Sequence, residues 1–134
     1  MRDCQADYAS STFGGSELVS KYEEAPGDVF VPFLGGTPEK QPEIHRTASP
    51  INYVTKDDPP LLLIQGDLDL LSPYNQSEKM YQAYQHAGLE AMLIKVSGAG
   101  HGFRQATDSP ISPSRDEINQ IRLDFFIKHL LLNR

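Results

Sequence analysis

The stretch Leu61-Leu62-Leu63-Ile64-Gln65-Gly66-Asp67-Leu68-Asp69-Leu70-Leu71-Ser72-Pro73 decides the fold of this chain. Four apolar residues follow one another without alternation, which predicts a strand buried on both faces and therefore a parallel sheet. The turn Asp57-Asp58-Pro59-Pro60 leads into that strand and Gly66 closes it. Ser72-Pro73 then opens a helix to about Ala87. Met80, Tyr81, Tyr84 and Ala87 share one of its faces, and Gly88 supplies the left-handed stop.

Downstream, residues 91–97 predict a second buried strand, and Gly98-Ala99-Gly100-His101-Gly102 a sharp loop of small residues around one histidine. Ser114-Arg115-Asp116-Glu117 is a capping box for a last helix. Ile118, Ile121, Phe125 and Leu132 form its apolar face, widened by Phe126 and Leu130. Upstream the pattern is weaker. Residues 2–9 alternate through Cys4, Ala6 and Tyr8 as a strand would, and a polar, glycine-rich loop runs from about Ser10 to Gly36. Thr37-Pro38 marks a short helix that ends before Ser49-Pro50. The expected architecture is α/β: three parallel strands at residues 2–8, 60–65 and 91–97, with flanking helices near 38–47, 73–87 and 114–132.

At 134 residues there is room for one domain. The net charge of −6 disfavours a phosphate backbone as partner, so no nucleic acid is expected. No apolar run approaches the roughly 18 residues of a membrane span, the longest being 59–64. The opening MRDCQADYASS lacks the apolar core of a secretory signal, and the compartment is left unassigned. Cys4 is the single cysteine, which excludes an internal disulfide and a thiolate cluster. It is read as a packing residue.

In a parallel sheet, ligands bind beyond the carboxyl ends of the strands. Two loops reach that edge. One carries Asp67 and Asp69, the other His101. Imidazole can take a proton from a weak nucleophile and return it to a leaving group near neutral pH. A carboxylate beside it fixes the tautomer and stabilises the imidazolium. An aspartate after a strand is, by itself, more often a turn former, and a histidine among glycines more often structural than catalytic. The pair, in this order and on these elements, is more specific.

These residues carry a family resemblance. Ile64-Gln65-Gly66-x-x-Asp69-x-x-Ser72-Pro73 resembles the HGxxDxxVP segment of α/β-hydrolases. Asn75-Gln76-Ser77 and the helix to Gly88 are similar to the segment that follows in esterases and prolyl-oligopeptidase-like members. Gly98-x-Gly100-His101-Gly102-Phe103 resembles the family's histidine loop, and the likeness extends back to Ser49-Pro50-Ile51-Asn52-Tyr53-Val54. Gln65 stands where the family usually has histidine and Ser72 where it often has valine; neither is assigned chemistry. The resemblance implies that Asp69 is the triad acid and His101 the base. Asp67, two residues earlier, is the rival acid and is read as a turn residue. No cofactor and no metal is implied.

The family's nucleophile sits in a G-x-S-x-G elbow. No such string occurs here. Gly14-Gly15-Ser16-Glu17-Leu18 lacks the closing glycine, and Ser16 is set aside as nucleophile. Because the fold runs Ser, Asp, His in chain order, the resemblance implies that residues 1–134 are the C-terminal part of the domain, without its N-terminal strands and elbow. The expected substrate is a small-molecule or acylated-carbohydrate ester, and the isolated polypeptide is expected to be nearly inactive. Residues 10–48, with Phe30, Val31, Phe33 and Leu34, are a candidate rim, although ordinary packing explains those four as well. An unpaired central strand implies marginal stability and self-association. Two other readings compete: a non-catalytic α/β domain that binds a ligand or partner through the same loops, and a metal site of Asp67, Asp69 and His101 completed by Asp108 or Asp116.

Overall fold

The structure is a computed structural model, and it describes residues 9–12, 14–24 and 30–132. Strands β1 (Ala9–Thr12), β2 (Leu61–Gly66) and β3 (Ala91–Val96) form a parallel sheet in the order β1-β2-β3. Helices α1 (Leu18–Glu24), α2 (Phe30–Phe33) and α3 (Pro42–Ala48) lie between β1 and β2. Helix α4 (Tyr74–Ala87) crosses from β2 to β3, and α5 (Arg115–Leu132) ends the fold. This is the α/β arrangement expected, three parallel strands with flanking helices.

All six residues of β2 are buried, as its unbroken apolar run requires. Leu62 and Ile64 pack with Val96, Phe103, Ile118 and Phe125 on the α5 side. Leu61 and Leu63 pack with Met80 and Tyr84 on the α4 side. The period-2 alternation of a strand thus feeds two separate cores. Leu62 has no exposed surface. Leu62→Ala is expected to cost ~2–5 kcal/mol, measured by urea unfolding. A loss under about 1 kcal/mol would mean that the α5 face closes around the gap.

The helix ends follow their local chemistry. Gly88 adopts φ 73°, ψ 24°, and the N–H of Leu89 reaches the carbonyl of Tyr84, a left-handed helix stop. In the capping box the Ser114 N–H and hydroxyl both donate to Glu117 Oε2, at 2.8 and 2.7 Å. The Ser114 hydroxyl, and then its N–H, hold the Glu117 carboxyl below the ordinary carboxylate value. Along α5, Ile118 and Phe125 are buried, whereas Leu130 is exposed.

One expectation falls outside the described residues and two are corrected. The strand expected at residues 2–8 lies outside the described residues, as does Cys4; the described strand is Ala9–Thr12. The loop expected from Ser10 to Gly36 instead holds most of β1 together with α1 and α2. The helix expected to begin at Pro38 begins at Pro42. Residues 37–41 form a turn in which Lys40 and Gln41 both donate to the Thr37 carbonyl. Pro42 has no N–H to continue that turn, so the helix restarts with proline in its first position. In α2, Phe33 is exposed while Leu34, just after it, is buried.

β1 is bonded to β2 on one side only among the described residues. A cavity of about 410 Å³ opens on the α4 side of this flank, between Ala9, Ser11, Leu61, Leu63, Met80 and Tyr53. Neither Asp69 nor His101 lines it.

Candidate active site

Asp69 and His101 leave the same end of adjacent strands. Parallel register pairs Gly66 with Val96, so the loops that follow β2 and β3 start side by side. Their backbones are laced together: Asp67 N–H donates to Val96 O (3.1 Å) and Leu68 N–H to Ala99 O (3.0 Å). Asp67 Oδ1 accepts from Gly98 N–H at 2.8 Å. The Asp67 carboxylate is therefore a staple between the loops, as a turn residue would be.

Asp69 is buried, its side chain having 0% exposed surface. Its Oδ1 accepts from the N–H groups of Leu71 and Ser72, both at 2.9 Å. Its Oδ2 accepts from Gln65 Nε2 at 2.8 Å and meets His101 Nδ1 at 3.0 Å. Leu71, Ser72 and Gln65 can only donate here, so the carboxylate is the acceptor throughout, and Nδ1 carries the proton. A buried carboxylate is tolerated when its oxygens are matched in this way. The His101 ring is about half exposed, at 46%.

The histidine loop is held from behind. Gly102 takes φ 71° and Phe103 φ 55°, and positive φ in an aromatic residue is uncommon. The buried Phe103 ring anchors that backbone in the α5-side core. Arg115, at the start of α5, donates to the carbonyls of Gly102 (3.1 Å) and Phe103 (2.8 Å). In the sequence Arg115 reads only as one more charge in a capping box. Gln65 departs from the family pattern in the sequence, and in the fold it touches the Asp69 carboxylate.

Ser16 is buried. Its N–H is held by Gln76 Oε1 (3.1 Å) and its carbonyl accepts from Ile51 N–H (3.0 Å). Among the described residues no three His, Cys, Asp or Glu side chains are grouped as a metal ion would need. No described helix is long and apolar enough to cross a membrane.

With three parallel strands and flanking helices, the chain belongs to the α/β-hydrolase class. The BD-FAE family model matches residues 3–84, and the chain belongs to that esterase-like hydrolase family. It is 35% identical over 68 residues to esterase LipC of Mycobacterium tuberculosis, an alignment covering 50% of this chain and 17% of that protein. Among solved structures, a truncated carbohydrate esterase from gut microbiota is similar at a TM-score of 0.75 and 31% identity, over 92% of this chain and 42% of that one. The uncomplexed acylaminoacyl peptidase of Pyrococcus horikoshii is similar at a TM-score of 0.72 and 26% identity, over 90% of this chain and 20% of that one. The chain thus spans less than half the length of each of these relatives.

Proposed function

We propose that this chain supplies the acid, Asp69, and the base, His101, of a Ser-Asp-His carboxylic-ester hydrolase. The observation that supports this is the 3.0 Å contact of His101 Nδ1 with a buried carboxylate whose other positions are filled by donors. With its proton on Nδ1, the imidazole presents Nε2 as the base. It takes the serine hydroxyl proton as the oxygen attacks the ester carbon, and returns that proton to the departing alcohol. Asp69 stabilises the imidazolium between those two steps. The nucleophile in this scheme lies outside these 134 residues, which contain no G-x-S-x-G string. The likeness to a carbohydrate esterase favours acyl groups on a sugar as the substrate class.

The test begins with the DNA upstream of Met1. An in-frame G-x-S-x-G is expected, and the chain extended to include it should hydrolyse p-nitrophenyl acetate and an acetylated oligosaccharide. The 134-residue chain alone should remain near background, because the oxyanion donors are also missing. Turnover by the short chain that vanishes in Ser16→Ala would reassign the nucleophile. An extended chain that is folded but inert would favour the non-catalytic binding domain. On the same proposal, the one-sided pairing of β1 makes the short chain self-associate in sedimentation.

A further inference from the structure

Gln65 is a polar residue at the end of a strand that is otherwise apolar up to Gly66, and it has no exposed surface. An amide in that position costs free energy unless its polar atoms are matched. Its Nε2 donates to Asp69 Oδ2 and to the Ser72 carbonyl, both at 2.8 Å. Its Oε1 faces the Ser77 hydroxyl of α4 at 3.4 Å. A carboxylate and a backbone carbonyl only accept, so the NH2 end must point at them, and the amide orientation is fixed by chemistry.

We propose that Gln65 is a positioning residue for the acid–base pair, and this rests on the roles proposed above for Asp69 and His101. Two backbone N–H groups hold Oδ1, but they leave the carboxylate able to swing about its Cβ–Cγ bond. A second donor on Oδ2, the oxygen that meets His101, removes that freedom. Gln65 is that donor. The same NH2 grips Ser72 O, where the loop turns into α4, so the acid, the loop exit and β2 move as one body. A neutral amide does this without competing with the imidazolium for the carboxylate, as a lysine or arginine would. Ser77 in turn sets the amide plane, linking α4 to the site.

The readout is the tautomer of neutral His101, followed by long-range proton–nitrogen NMR on the 134-residue chain, with His101→Gln identifying the signal. The wild-type ring is expected to be chiefly the Nδ1–H form. Gln65→Met, which keeps the volume, and Gln65→Asn, whose amide is one methylene too short to reach both partners, should each make that form the minor one. Gln65→His still offers an N–H and should retain it. Asp69→Asn should abolish it. A folded Gln65→Met or Gln65→Asn chain with the wild-type tautomer, beside an Asp69→Asn chain that has lost it, would overturn the role of Gln65 alone. If Asp69→Asn leaves the tautomer unchanged, the acid–base pair itself is not formed and the proposed function fails with it.

Discussion

His101→Ala is expected to lower kcat/KM for a carboxylic ester by roughly four orders of magnitude in the chain extended to carry its nucleophile. The size follows from the role proposed for the ring. Without a base the serine hydroxyl must lose its proton to water, and the leaving alcohol must depart unprotonated. Asp69→Asn should fall nearly as far. An asparagine amide can present its NH2 to Nδ1, which favours the tautomer with the proton on Nε2, where the base is needed. Asp67→Asn is expected to be mild, because Asp67 Oδ1 meets a backbone N–H, a bond that an amide oxygen can also accept. Steady-state kinetics on the three variants decides between the aspartates. An inverted order for Asp67 and Asp69 would move the acid to Asp67.

Among the described glycines, Gly66→Ala is expected to be the most damaging. A Cβ at Gly66 would lie 2.3 Å from the Ala99 carbonyl oxygen and 2.9 Å from its carbon. Both atoms are backbone, so no side chain can swing aside. The loops that carry Asp69 and His101 would have to separate, breaking the lacing between Leu68 and Ala99. The expected loss is about 3 kcal/mol or more in thermal or urea unfolding, together with loss of the Nδ1–H tautomer of His101. Gly88→Ala is the control. A Cβ there meets nothing within 4 Å, and only the left-handed φ of +73° is strained. That change should cost about 1 kcal/mol and leave the site intact. Equal losses at the two glycines would show that the close approach at Gly66 relaxes.

The α/β class is legible in the sequence from residue 57 onward because the decisive signals there are local. A buried parallel strand has to be apolar on both faces, and Leu61–Ile64 states this within four residues. Gly88 and the Ser114–Glu117 box mark helix ends through bonds no longer than one turn. The pairing of Asp69 with His101 could be suspected for a related reason: consecutive parallel strands deliver their following loops to one edge.

The first third of the chain was not legible in this way. Helix α1 has seven residues, too few to be stable alone, and its first N–H groups are met by distant side chains. Gln76 Oε1 accepts from Glu17 N–H at 2.9 Å and Ser49 Oγ from Leu18 N–H at 2.9 Å. Partners 59 and 31 residues away leave no mark on the local pattern. The same holds within the site. That Gly66 must be a glycine, that Asp67 staples while Asp69 faces the histidine, and that Gln65 holds the acid are all decided where two loops meet. The sequence by itself determined β2, β3, the helices α4 and α5 and the two loops that carry Asp69 and His101, because those rest on patterns within a few residues. Tertiary structure alone decided which atoms in those loops touch, because contacts across 32 residues between Asp69 and His101 exist only once both strands are in register.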